Sequence, residues 1–577
     1  MTPEELVRGL KMIVGPRYVL TRAEDVARYA TGFRFGSGTA LAAVRPGNLV
    51  ELWRCAQRCV EAQAIIIPQA ANTGLTGGST PYGDYGRLVV ILNTTRIRGV
   101  YPINDGRQVV CLAGATLYDL ERALKPLNRD PHSVIGSSCI GATVIGGVCN
   151  NSGGALVQRG PAFTECALFG KVDETGSLRL VNHLGVNLGT EPELILHRLE
   201  RGRFGPGDIE NESSLRASDT RYTEHVRDIE AATPARYNAD GRSLFEASGC
   251  AGKLLVLAVR LDTFPRPETT AVFYLGSNDV GDLTRLRRDM LKSFATLPVA
   301  AEYIHSSAFR IAERYGKDTI LAIEYLGTDR LPLLFALKAM VDRLATRWGL
   351  GPHLSDRLLQ RAGSWAPSRL PARMIDFRDR FEHHLLLRVS GSGIEQTREY
   401  LNKLFPSASG GFFECTADEG RKAFLLRFAV AGAAIRYRAV HADSVEDIIA
   451  LDIALPRNAT AWTEILPAEL DSAIIHKIYY GHFFCHVFHQ DYVIAKGHDP
   501  TAIKHEMLRL LDQRGAEYPA EHNVGHLYRA KASLVSFYRS LDPCNQLNPG
   551  IGETSRYPHW HEPASATAHG AGKAEFP

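Results

Sequence analysis

The sequence predicts an α+β fold of two or three domains, and three observations carry that prediction. The chain has 577 residues, too many for one hydrophobic core. Its first half alternates short apolar runs with stretches of helical periodicity, as strands and helices sharing a core do. Two long glycine-rich segments break that alternation in apolar surroundings, where such loops are usually functional. Apolar content of 45% and charged content of 22% are ordinary for a soluble globular protein. A net charge of +3 is too near neutral to suggest nucleic acid as a partner.

Residues 1–30 read as largely helical, with acids where a secretory leader needs a basic and then an apolar region. A helix around Glu51 to Ala62 feeds the apolar run Ala64-Ile65-Ile66-Ile67, a short buried strand. The first glycine-rich segment follows, Pro68-Gln-Ala-Ala-Asn-Thr-Gly-Leu-Thr-Gly-Gly-Ser-Thr80, crowding Asn72, Gly74, Gly77 and Gly78 into a tight loop. Glycine reaches positive φ, so the loop can turn its backbone N–H groups onto a ligand, and the natural guest is a diphosphate. Strands at Leu88–Leu92 and Val109–Ala113 and a helix at Leu117–Leu124 lead to the second segment, Pro131 to Gly154, with Ile140 and Val144-Ile145 among its glycines. Strands at Ala167–Lys171 and Leu178–Val181, a polar surface excursion from about 186 to 232, and a buried strand from Leu254 to Arg260 complete this portion. Phe264-Pro-Arg-Pro marks its boundary.

Two loops some sixty residues apart are not the Gly-x-Gly-x-x-Gly fingerprint that opens a helix and has an acid downstream. They resemble instead the FAD-binding domain of the vanillyl-alcohol-oxidase type. There the flavin lies extended between two subdomains with its pyrophosphate on the first loop.

Beyond the boundary a strand at Val272–Leu275 and a helix near Val280–Phe294 open a second α+β region. Residues 330–380 then carry ten basic residues, Arg330, Lys338, Arg343, Arg347, Arg357, Arg361, Arg369, Arg373, Arg378 and Arg380, against four acids. Trp348 and Trp365 lie among them. The pattern fits a solvated helical face or an electropositive, Trp-bearing surface on anionic lipid, each cation contributing about 1 kcal/mol there. No nucleic-acid motif accompanies the charge. Ten scattered cysteines without Cys-x-x-Cys fit a reduced cytosolic setting. No run of about eighteen apolar residues predicts a membrane span.

Eight of the twenty histidines fall between 476 and 526. On a continuous strand His482 and His486 would share one face and His489 the other, unless a bulge or loop reunites His482 with His489. Glu521-His522 follows the turn signal Tyr518-Pro519. Imidazole and carboxylate suit Zn²⁺ or Mn²⁺, and a histidine serves as a base near neutral pH. His476, His486 and His526 are equally readable as hydrogen-bonded core residues.

This pattern resembles flavin-dependent 2-hydroxyacid dehydrogenases of the D-lactate and D-2-hydroxyglutarate type. In them two metal-binding histidines stand seven residues apart and a later Glu-His pair supplies a third ligand and the base. His482, His489 and Glu521-His522 keep that spacing, while Phe484-Cys485-His486-Val487 replaces the intervening Gly-Asp-Gly-Asn. From about residue 5 to 556 the chain is similar to the bacterial branch of quinone-dependent respiratory D-lactate dehydrogenases. The similarity is carried by the two loops, Asp228 to Ala239, Ser248 to Lys253, and Tyr518 to Tyr528.

The resemblance implies FAD contacts at Ala70, Ala71, Asn72, Thr73, Gly74, Gly78, Ser79, Gly136, Thr143, Gly153 and Val256. The FAD is expected to be non-covalent, since the first loop holds neither His nor Cys. It implies His522 as base and Arg427, in Phe424-Leu-Leu-Arg-Phe428, as the anchor of the substrate carboxylate. His482, His489 and Glu521 would either hold a divalent metal or form a hydrogen-bonded relay around the base. The implied reaction is oxidation of D-lactate, with electrons passing to ubiquinone or menaquinone through a peripheral enzyme on the cytoplasmic face of the bacterial inner membrane. The alternative is a dehydrogenase or oxidase of another D-2-hydroxy acid. The expected layout is an FAD-binding domain from 1–264, a cap from 265–305, the basic membrane-binding region from 306–380, and cap again from 381–512. Within that last part 420–444 stands as a further excursion of the basic region. Residues 513–555 return to the FAD-binding domain, and 556–577 form a flexible tail.

Overall fold

A computed structural model describes residues 1–133, 140–210, 214–326, 331–348, 354–365, 369–405 and 407–561. The expectations for Gly136, Arg330, the Arg343 side chain and the tail from 562 onward lie outside the described residues.

The N-terminal portion is built on two sheets. The first runs Val19–Leu20, Ala42–Val44, Val89–Asn93, Ile65–Gln69, and its last three strands are parallel. Ile66, Val90 and Leu92 pack with the helices Pro3–Val14 and Leu49–Glu61, while Ile65, Ile67 and Ile91 face Val26, Ala30 and Tyr85. Both faces are therefore covered, which is why these strands read as unbroken apolar runs instead of alternating ones. The second sheet is antiparallel, in the order Val100–Ile103, Gln108–Leu112, Leu255–Asp262, Ala167–Val172, Leu178–Asn182. The first glycine loop leaves the carboxyl end of Ile65–Gln69, and the second ends in the short helix Val144–Cys149 against the antiparallel sheet.

The polar stretch from 186 to 232 is more than a surface excursion. It contains helices Pro192–Glu200 and Tyr222–Arg227, which bury Ile195, Leu196 and Leu199, and Tyr222 and Val226. Few apolar residues are present, but their one-face helical spacing pins the segment to the core.

Phe264–Pro265 pairs with Arg129–Asp130, after which the chain enters a seven-stranded antiparallel sheet. Its order is Gly410–Glu414, Thr270–Ser277, His383–Ser390, Ala300–His305, Ile474–His482, Val487–Ala495, Val445–Ala454. One face packs on Leu283, Leu286 and Met290 of the helix Val280–Ser293. The other is covered by helices Ser306–Tyr315 and Ala417–Val440. Ala423, Ala433 and Ala434 let the long helix lie close to the strands, and Thr416 with Glu419 caps its start in a reciprocal capping box. Most of the 420–444 excursion is this helix, lying flat on the cap sheet.

Between the paired strands Ala300–His305 and His383–Ser390 the chain inserts Ser306–Tyr315, Lys317–Leu326, Leu331–Arg347, Leu354–Trp365 and Ala372–Arg380. The insertion is tied to the long helix by Arg436, held between Asp318 (2.7 Å) and Asp356 (2.5 Å), and by Arg421 to Glu324 (2.8 Å). Finally the chain returns to the first sheet. Ile66 N–H donates to Gln546 O and Asn548 N–H to Ile66 O, while the Asn548 side chain donates to Gly78 O of the first loop.

Candidate active site

The hairpin Ile474–His482 and Val487–Ala495 carries the centre of the site. Strand parity alone would part His482 from His489. The strand breaks instead into a 3₁₀ turn at Phe483–Cys485 with His486 in the left-handed region (φ 53°), anchored by fully buried Phe483 and Phe484. The reversal pairs Tyr480 with His489 and leaves the His482 and His489 rings 5.4 Å apart. On its far side His489 pairs with Asp452 of the edge strand Val445–Ala454. The loop bearing Glu521-His522 runs along that edge: Ala520 N–H donates to Asp452 O and Glu521 N–H to the Asp452 carboxylate at 2.7 Å.

Four carboxylate–histidine contacts result. His522 Nδ1 lies 2.7 Å from Asp452 Oδ2, which fixes the ring and leaves Nε2 facing away from it. Burial pushes His522 down, but the Asp452 charge outweighs it and holds the imidazole above its ordinary value. Asp452 also lies 3.3 Å from His489 Nδ1, and despite burial these histidines keep its carboxyl well below the usual range. His482 Nδ1 lies 2.6 Å from Glu302, and its Nε2 lies 3.2 Å from Glu521. Burial opposes its charge, but Glu302 and then Glu521 raise it to about 9. Glu521 is countered by Arg236 at 2.5 Å, a guanidinium only 2% exposed, and despite burial it falls to about 2.

The donor atoms of His482, His489 and Glu521 all lie within 4.8 Å of one another. Glu302 occupies the far nitrogen of His482, the arrangement that orients a metal-binding imidazole. The set therefore fits a divalent cation.

Arg427 reaches the same place from the long helix. It is not a surface arginine: Nη2 pairs with Glu302 at 2.9 Å, the guanidinium lies 4.6 Å over the Tyr480 ring, and its Nε is buried without a partner. Tyr480 donates to Asp491 (3.1 Å), and the charge of Arg34 acts on Tyr480, Asp491 and His522.

The glycine loops form the opposite wall. Asn72 (φ 53°) and Gly77 (φ 71°) take the left-handed conformation, whereas Gly74 and Gly78 do not. Gly78 is required sterically, because a Cβ there would stand 2.7 Å from Asn523 Nδ2. Ser79 Oγ donates to the Asn72 side chain (3.0 Å), Asn93 to Ala70 O (2.9 Å) and Asn72 to Thr31 O (2.8 Å), which ties the first loop to its neighbours on both sides. Thr143 caps the helix Val144–Cys149, and Val256 sits at a bulge in the central strand of the antiparallel sheet. At Gly153 a Cβ would run into the Glu521 carboxylate, so the second loop touches the residue that precedes His522. Arg236 fastens the two by donating to Gly154 O as well as pairing with Glu521.

His486 and His526 are core residues, one bonded through Nδ1 to Pro456 O, the other through Nε2 to Thr80 O and stacked on Tyr82. His476 packs against Tyr437. Sequence reasoning missed Glu302, Asp452, Arg236, Tyr480, Asp491 and Arg34. Arg236 alone lay inside a segment it had quoted, Asp228 to Ala239.

The two sheets, their loops and the cap define a flavoprotein with an FAD-binding domain of the vanillyl-alcohol-oxidase type. The family model "FAD binding domain" matches residues 40–181, and "D-lactate dehydrogenase, membrane binding" matches 272–560. Among solved structures, 4-ethylphenol oxidase from Gulosibacter chungangensis aligns over 95% of this chain and 96% of its own, with a TM-score of 0.56 and 12% identity. p-Cresol methylhydroxylase does so over 95% and 96%, with a TM-score of 0.55 and 12% identity. Curated relatives narrow the class. The quinone-dependent D-lactate dehydrogenase of Escherichia coli (strain K12) is 56% identical, covering 96% of this chain and 97% of its own. That of Corynebacterium glutamicum is 46% identical over 97% and 98%. The chain belongs to the quinone-dependent D-lactate dehydrogenase family.

Proposed function

We propose that this protein oxidises D-lactate to pyruvate and delivers the electrons to ubiquinone or menaquinone while lying on the cytoplasmic face of the membrane. The observation that carries the reading is the contact of Glu521 with Gly153, which sets the Asp452-held His522 beside the second loop of the FAD-binding domain. FAD, bound without a covalent link, supplies the hydride acceptor. Its holders in this reading are Ala70, Ala71, Asn72, Thr73, Gly74, Gly78, Ser79, Thr143, Gly153 and Val256. His522 takes the hydroxyl proton at Nε2, and Asp452 stabilises the imidazolium that forms. Arg427, with donors not engaged by Glu302, and Arg34 from the facing loop anchor the carboxylate. His482, His489 and Glu521 would hold a divalent cation, whose chemistry is to polarise the hydroxyl oxygen.

Attachment to anionic phospholipid is supported by exposed side chains more than by charge. Trp365 is 91% and Trp348 73% exposed, with Leu337 and Met340 also exposed nearby. Lys338, Arg373, Arg378 and Arg380 are paired with acids. The association in this reading is peripheral; among the described residues no helix is long and apolar enough to cross a membrane.

The test is a visible spectrum before and after anaerobic D-lactate. Flavin bands that bleach with D-lactate and not with L-lactate are expected. Flavin that fails to bleach would remove the substrate assignment, and folded protein unable to take up added FAD would remove the whole reading.

A further inference from the structure

A cavity of about 550 Å³ lies under the long helix, on the same face of the cap sheet as the redox site, and is lined by Val272, Ile323, Arg388, Phe424, Leu425 and Phe428 among others. That size is ordinary for a small-molecule site, about 300–1,000 Å³. Its walls come from three places: the sheet (Val272, Arg388), the helix Ala417–Val440 (Phe424, Leu425, Phe428), and Lys317–Leu326 of the membrane insertion (Ile323).

Arg388 is the unusual member. It is partly buried, its guanidinium lies 4.2 Å over the Phe424 ring, and among the described residues its side chain makes no hydrogen bond or ion pair. Its guanidinium nitrogens are not sealed inside the protein, so their N–H donors are open to whatever occupies the cavity. In the sheet register Arg388 pairs with Ala300 and Leu386 with Glu302, so Arg388 stands one strand away from Glu302 on the same face. Glu302 in turn contacts His482 and Arg427. The long helix separates the two compartments, presenting Phe424 and Phe428 to the cavity and Arg427 to Glu302.

We propose that this cavity binds the quinone headgroup, with Arg388 donating to a ring carbonyl and Phe424 and Phe428 packing on the ring. The inference rests on the D-lactate:quinone reading and gives its acceptor an address. Three features select a quinone over other apolar guests. The charges of Glu302 and Asp130 reach the cation without an ion pair among the described residues, which leaves its donors for a neutral acceptor. Two aromatic rings, Phe424 and Phe428, line it beside the aliphatic Val272, Ile323 and Leu425, with Thr270, Cys415, Thr416 and Arg421 also in the wall. One wall residue, Ile323, belongs to the same insertion as the exposed tryptophans, which puts the cavity next to the segment read as lipid-facing. The bound quinone would gain the hydride's two electrons and one proton by way of the flavin, and a second proton through solvent that balances the one His522 takes from the hydroxyl, and would leave as quinol.

The test compares the FAD-loaded wild type with Leu425→Trp, which fills the cavity, and Arg388→Gln, which removes the cation. Each is assayed with a short-chain ubiquinone analogue and with a water-soluble dye accepting electrons at the flavin. Direct binding is read separately by photolabelling with an azido-quinone and peptide mapping. The expected result is labelling of the strand at 383–390 or the helix at 417–440, lost in Leu425→Trp. Each variant should also raise the KM for the quinone analogue at least about tenfold, the worth of one charge-assisted hydrogen bond or a filled site. Dye-coupled turnover and the KM for D-lactate should stay unchanged in Leu425→Trp. Unaltered quinone KM and labelling in both variants would overturn the proposal, as would labelling confined to other peptides or competition by phospholipid alone. Failure of D-lactate to bleach the wild-type flavin would instead strike the underlying reading, so the two failures are distinguishable.

Discussion

Replacing Asp452 by Asn keeps the shape of the site and removes the charge that organises it. In the structure this one carboxylate accepts at 2.7 Å from His522 and at 2.7 Å from the Glu521 backbone. Hydrogen bonds to charged groups are each worth about 1.5–3 kcal/mol, so two of them amount to about 3–6 kcal/mol of organisation around the base. Felt fully in the transition state, that range is about 10²–10⁴ in rate. The sign of the pH effect follows from the same pair. Asp452 raises the His522 pKa, so the neutral base accumulates only as pH rises through a value above 6.5. Flavin reduction at low D-lactate should therefore climb with pH through that value in the wild type, and through a lower one in Asp452→Asn. The ion pair's contribution to stability runs the other way, present below the unfolded value and lost as pH rises through the folded one. The assay is anaerobic stopped-flow bleaching of the flavin by D-lactate across pH. A variant reduced within about threefold of wild type, with an unmoved pH limb, would refute the assignment of His522 as an Asp452-held base.

Arg236→Met leaves Glu521 buried with His482 as its remaining cationic partner and should cost about 3 kcal/mol, read as a lower denaturant midpoint; an unchanged midpoint would refute the pairing. Glu521, lowered from 4.5 to about 2, contributes about 3 kcal/mol above pH 4.5 that is lost as pH falls toward 2, and acid titration of Glu521→Gln should lack that loss. Gly153→Ala drives a methyl into the Glu521 carboxylate, and with overpacking worth about 1–3 kcal/mol it should weaken FAD retention at least about fivefold by flavin titration. Trp348→Ser with Trp365→Ser should cut partitioning onto anionic vesicles at least about tenfold at fixed salt, with D-lactate bleaching of the flavin kept; unchanged partitioning would place the contact elsewhere.

The parts legible in the sequence were those with local signatures. Ile65 to Ile67 announced a short buried strand, which the structure covers on both faces, and the glycine loops announced themselves by composition. His482, His489, Glu521 and His522 were found by spacing, but spacing could not show that a 3₁₀ turn reverses the strand between the first two. Glu302 and Asp452 were invisible because each is an acid flanked by apolar strand residues, meaningful only once a neighbouring strand brings a histidine opposite it. Gly78 looked like a conformational glycine and is a steric one. The basic count over 330–380 overstated the free charge, since sequence does not show which arginines are already neutralised.

The helical insertion leaves the cap sheet after His305 and rejoins it at His383, and these two residues are register partners on adjacent strands. The sheet closes its ladder at that point whatever lies between them. An appendage rooted at such a junction can grow, shrink or change its surface chemistry over evolutionary time without shifting the strands that carry Glu302 and His482. Lineages with different lipids can thus retune the mooring while inheriting the oxidation chemistry intact.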